Sequence, residues 1–148
     1  ILFNSKSFSA DVGLNLYGLS FHSERSYGED VDVNKFNSGI GFRIQFKPVS
    51  RQNIILETAG YVDSFENIAN YFSVGYLYNI SSKFRLGFHS AIYITESTNN
   101  GNPFIALVPL INYKFKNLII NAVYLPRYRG INPYHILGVY FTVMIPSK

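Results

Sequence analysis

The chain has 148 residues, of which 47% are apolar, 17% aromatic and 15% charged. That length suits one domain spanning residues 1–148, and the charged share is well below the roughly 25% of an average soluble domain. The composition excludes a disordered tail, and the lack of cysteine removes disulfide scaffolds, thiolate zinc sites and cysteine nucleophiles together.

The formal net charge is +4, but the 13 lysines and arginines are scattered and form no basic stripe, so no nucleic-acid partner is expected. The sequence opens at Ile1 without a basic-then-apolar leader, which reads as a mature or trimmed form. Mean hydropathy is near neutral at +0.06. The uncharged stretch Asn67 to Ser82 is interrupted by Asn67, Asn70, Ser73, Asn79 and Ser81, and no membrane-spanning helix is expected.

β-Branched and aromatic residues come in segments bounded by Gly, Asn, Ser and Pro. They predict eight strands, at about Ser9–His22, Phe36–Lys47, Asn53–Asp63, Ile68–Asn79, Lys83–Thr95, Phe104–Lys114, Leu118–Pro126 and Pro133–Ile145. The connections alternate in kind. Ser23–Lys35, Glu96–Pro103 and Arg127–Asn132 are long and polar, Ser64–Asn67 is brief but loop-like, and Pro48–Gln52, Ile80–Ser82 and Phe115–Asn117 are short. In an up-and-down meander this gives one loop-rich rim and one trimmed rim, the pattern of an eight-stranded antiparallel transmembrane β-barrel.

Alternation within strands points the same way. In the fifth segment Phe84, Leu86, Phe88, Ile92 and Ile94 share one face, while Lys83, Arg85, Gly87, His89, Ala91 and Tyr93 share the other. In the last, neither face is strongly polar, which predicts a narrow, partly apolar interior able to admit a hydrocarbon chain. Aromatics near strand ends predict interfacial girdles: Phe21, Phe36, Phe46, Tyr61, Phe65, Tyr78, Phe84, Tyr93, Phe104, Tyr113, Phe115, Tyr124, Tyr128 and Tyr134. A soluble lipocalin-like carrier is disfavoured by the shortage of charge.

Meander topology brings His22, Asp63 and Ser64 to the loop-rich rim. They are the residue types of base, orienter and nucleophile in acyl transfer; a strand-end His and a turn Asp-Ser also have ordinary structural readings. His89 and His135 read as structural, and no residues stand at metal-ligand spacing. The first loop, with Glu24, Glu29, Asp30 and Asp32 beside Arg25 and Lys35, reads as solvated in preference to a cation site.

The segments Phe21-His22, Gly39-Ile40-Gly41-Phe42, Gly60-Tyr61-Val62-Asp63-Ser64-Phe65, Leu107-Val108-Pro109-Leu110 and Tyr124-Leu125-Pro126 occur in an order that resembles the lipid A palmitoyltransferases of the outer membrane (PagP). The resemblance runs from about Leu16 to Ile145. It implies transfer of a palmitoyl chain from a phospholipid donor to lipid A by a monomer needing no cofactor. His22 would be the general base, with Asp63 and Ser64 as orienting groups, or Ser64 a covalent nucleophile. It further implies that Gly75 is the acyl-chain ruler and that Pro109 and Pro126 flank a lateral lipid gate. Tyr17 and Asn37 stand where a second pair of prolines would sit. The alternatives are a non-catalytic structural or adhesion barrel and a lipid A deacylase.

Overall fold

A chain that repeats apolar and aromatic residues at every second position, and interrupts them with turn formers, can satisfy its backbone in a bilayer only by closing a sheet on itself. In a computed structural model, which describes residues 10–23, 33–49, 51–128, 131–132 and 134–145, it does so. The strands are β1 (Ala10–His22), β2 (Phe36–Val49), β3 (Gln52–Val62), β4 (Ile68–Asn79), β5 (Phe84–Ile94), β6 (Phe104–Phe115), β7 (Leu118–Leu125) and β8 (Ile136–Ile145). Each pairs antiparallel with its sequence neighbours, and β8 returns to β1 in a closed barrel. The expected strands are all present; the last begins at Ile136, three residues later than read from the sequence. Ser9, Pro133 and the loop residues Glu24, Arg25, Glu29, Asp30 and Asp32 lie outside the described residues.

The barrel is apolar on the outside and polar within. Phe36, Ile68 and Ile105 are 61%, 71% and 72% exposed, whereas Asn15, Arg43, Glu57, Asn112, Asn121 and Thr142 are sealed from solvent. A water-soluble barrel would present the reverse, so this one crosses the bacterial outer membrane, its short turns on the periplasmic side and its longer loops outside.

Part of the aromatic set forms the girdles. Phe21, Phe36, Tyr124 and Tyr128 are exposed toward the loop rim, and Tyr78, Phe84, Tyr113 and Phe115 toward the turn rim. Tyr61, Tyr93, Phe104 and Tyr134 depart from that expectation: the first three line the lumen, and Tyr134 is buried at its mouth. Strand parity decides this, because Tyr61 and Tyr93 share a face with buried Ala59 and Ala91.

Two local features set the interior. A Cβ on Gly41 would come within 2.4 Å of the Thr58 carbonyl, so glycine is required for β2 to lie so close to β3. In β1 the register shifts between Tyr17 and Leu19 against both neighbours. This bulge at Gly18 moves buried Ser20 onto the inner face, where continuous alternation from Asn15 and Tyr17 would have turned it outward.

Candidate functional site

The middle and lower lumen is filled by one polar network. Arg43 Nε donates to Glu57 Oε1 at 2.8 Å, and Asn15 Nδ2 donates to the same oxygen at 2.9 Å. The Tyr140 hydroxyl donates to Glu57 Oε2 at 3.1 Å. Arg43 Nη2 and Asn112 Nδ2 both donate to Asn121 Oδ1, at 2.9 and 2.8 Å. The Thr142 hydroxyl accepts from Asn121 Nδ2 at 2.9 Å and donates to Asn15 Oδ1 at 2.7 Å. Side chains of β1, β2, β3, β6, β7 and β8 are thus joined across the barrel, and the buried ion pair has the additional hydrogen bonds that offset desolvation of its charges.

Above this plug the lumen changes character. Tyr17 stacks on Tyr140 at a ring separation of 4.7 Å and on Tyr61 at 5.5 Å, and its hydroxyl hydrogen-bonds that of Tyr71. These rings floor a cavity of about 140 Å³ whose walls include Tyr93, Phe104, Val123 and Leu125 and whose rim includes Asp63, Ser64 and Asn37. A space of roughly 150 Å³ holds a single benzene-sized group. A sixteen-carbon chain does not fit inside it.

The three rim residues are brought to one end of the barrel but not into one hydrogen-bonded unit. Asp63 is committed to the β3–β4 turn: Oδ1 accepts from the Phe65 and Asn67 amides at 2.9 and 3.1 Å, and Oδ2 accepts from the Thr95 hydroxyl at 2.5 Å. Ser64 Oγ lies 3.3 Å from Ser20 Oγ and accepts from Asn37 Nδ2 at 3.3 Å. His22 packs edge-on against Tyr134 at 5.8 Å, and among the described residues neither of its ring nitrogens has a hydrogen-bond partner. His22 does not line the cavity that Asp63 and Ser64 border. A base–nucleophile contact of about 2.6–3.2 Å is absent from this arrangement. Of the other histidines, His135 Nδ1 bonds the Tyr124 hydroxyl at 2.7 Å, and His89 lies buried with Nδ1 3.5 Å from Glu57 Oε2.

Gly75 does not line the cavity, although its register partner on β5, His89, does. A Cβ there would meet Ile55 Cγ1 at 2.7 Å and His89 Cβ at 2.9 Å, so the glycine serves close packing within the wall and has no open space in front of it. The proline pair is placed where a lateral opening exists. Pairing of β6 with β7 stops at Leu110↔Val123, immediately before Pro109, and the upper part of β6 is bonded to β5 alone. A cleft of about 130 Å³ lined by Ile105, Leu107, Leu125 and Pro126 occupies the gap. Proline supplies no amide to a ladder, which suits it to such an edge. The β1–β2 ladder, by contrast, continues past Tyr17 to Leu19↔Phe36.

No family model matches the chain, and no curated protein does. Among solved structures it is similar to the attachment invasion locus protein Ail of Yersinia pestis, at 14% identity over 92% of this chain and 97% of that one, with a TM-score of 0.48. It is also similar to Ail bound to the heparin analogue sucrose octasulfate, at 15% identity over 93% and 99% with a TM-score of 0.46. A third is Neisserial surface protein A, at 10% identity over 93% and 99% with a TM-score of 0.38.

The palmitoyltransferase expectation is corrected by the interior of the barrel itself. Physically, the partly apolar interior expected to take up a palmitoyl chain is closed by the Arg43–Glu57 network below Tyr17, and His22 contacts neither Asp63 nor Ser64 through a hydrogen bond. Sequence reasoning passed over the residues that decide this: Asn15, Arg43, Glu57, Asn112 and Asn121. Each is a polar residue in the interior of a strand, and its position on the lumen face was the available signal.

Proposed function

We propose that the chain is a non-catalytic outer-membrane barrel that serves as a surface scaffold, presenting its outer rim for contact with other surfaces. The observation that carries this is the sealed interior: a barrel cross-linked through its lumen has neither a conduit nor a chamber for an acyl substrate, and what it offers is rigidity. The loop rim is tied down in the same spirit. Thr95 of the β5–β6 connection bonds Asp63, Asn67 Nδ2 donates to Ser97 Oγ at 2.9 Å, and the Asn34 amide donates to the Ser64 carbonyl at 2.9 Å. Three outer connections are thereby fastened to one another, which reduces the ordering cost of binding at the rim.

The test pairs two assays. Bacteria displaying the barrel should adhere to cultured epithelial cells, and replacing residues 97–102 by a Gly-Ser turn should reduce adherence without altering heat-modifiable gel mobility. The refolded protein, given labelled phosphatidylcholine and lipid A, should neither transfer nor release an acyl group. Acyl release that disappears in His22→Ala would overturn the proposal.

A further inference from the structure

The periplasmic mouth of the barrel carries a different signal from the outer rim. Toward the periplasm from the plug, the inner faces of β2, β5 and β6 end in Lys47, Arg85 and Lys114, in phase with buried Gln45, His89 and Asn112 respectively. Arg85 is 6% exposed, and Nη1 donates to Gln45 Oε1 at 3.1 Å, a neutral acceptor. Lys114 lies within electrostatic reach of Arg85, Lys47 and Asp11. Asp11 is the carboxylate of this group, and it is paired with Lys47. Among the described residues no carboxylate forms an ion pair with Arg85 or Lys114. Among the described residues three cations therefore share one anion at this mouth.

Holding a guanidinium away from water without a charged acceptor is unfavourable, and the surroundings add to the imbalance. Arg51, Lys83 and Lys116 stand exposed on the short turns around the mouth, so the periplasmic rim presents a positive field that draws in anions. Two excess positive charges match a phosphate group, which carries about −1.5 to −2 near neutral pH, better than a single carboxylate. The guanidinium fork suits phosphate oxygens, with ammonium groups as flanking point charges.

We propose that Arg85, Lys114 and Lys47 form an oxyanion site at the periplasmic mouth that binds a phosphate group, presented either as free phosphate or as the headgroup of an anionic phospholipid. The site is separate from the outer rim and does not depend on the scaffold reading.

The experiment uses the whole chain refolded in dodecyl maltoside in a phosphate-free buffer of low ionic strength. One arm titrates inorganic phosphate calorimetrically; the other dopes the micelles with phosphatidylglycerol and follows the thermal unfolding midpoint. Binding in either arm should weaken about tenfold or more in Arg85→Gln and in Lys114→Gln, each removing a charged donor. Lys116→Gln, which removes only an outlying charge of the rim field, should weaken it much less. A response to phosphate assigns the free anion, and a response to phosphatidylglycerol alone assigns the lipid headgroup. If Arg85→Gln does not regain heat-modifiable mobility, Lys114→Gln decides. No response in either arm, or equal weakening by Lys116→Gln, would overturn the site.

Discussion

On the periplasmic side of the Tyr17–Tyr140 stack, the lumen is crossed by charged and amide groups whose hydrogen bonds join six strands. On the outer side, the same lumen is lined by Tyr61, Tyr71, Tyr93 and Phe104 around a cavity, and the wall itself parts where β6 leaves β7. The two halves share a strand set and a membrane, so the contrast isolates what interior side chains do. In a bilayer the outer face of a barrel gains little from packing against lipid tails, and the tie between strands must come from the backbone ladder and the lumen. The lower half draws on both. The upper half relies on ring packing and on loop hydrogen bonds, and it is there that the wall opens.

The largest expected effect is in the lower half. Glu57→Ala leaves Arg43 buried without its carboxylate and should cost about 3–5 kcal/mol in a reversible urea unfolding measurement in lipid vesicles. A loss below about 1 kcal/mol would show that the two halves do not differ as described. Gly41→Val should come next, at about 1–3 kcal/mol or more, because the new side chain collides with the β3 backbone. In the upper half, Tyr17→Phe removes the hydroxyl contact with Tyr71 and the long one from Asn15 Nδ2, and should cost about 0.5–1.5 kcal/mol. Hydrogen exchange sharpens the comparison within one strand. Amides of residues 105–108 that are not bonded to β5 should exchange far faster than those of residues 110–113, which lie between two partners. Smallest of all, His22→Ala deletes a ring whose nitrogens have no partners among the described residues and should change stability by no more than about 1 kcal/mol.

The upper and lower halves were also unequally legible in the sequence. Strand boundaries and the alternation of long and short connections follow from local chemistry, and so did the inward placement of Arg85, His89 and Tyr93 on β5. Pro109 marked the place where the ladder ends, since the missing amide is a property of one residue. The plug was not legible in the same way. Asn15 and Thr142 are 127 positions apart, and Arg43 and Tyr140 are 97 apart; nothing local tells one polar residue which distant partner will share its layer. The rim trio failed for a related reason. Topology brings His22, Asp63 and Ser64 to one end, but side-chain partnership there is set by the β1 bulge, which turns Ser20 toward Ser64, and by the Asx turn that occupies Asp63. The inward Tyr61 shows the remaining limit: an aromatic near a strand end belongs to the girdle or to the lumen according to parity, and parity has to be counted from a residue whose side is already known.

The central claim is that the lumen is shut by the Arg43–Glu57 network. Ion conductance of the refolded barrel in a planar lipid bilayer tests it most directly. The account predicts a flat current with no stepwise openings across the ordinary voltage range. Discrete ohmic steps from the unaltered chain would mean that water and ions pass the plug, and would contradict the account.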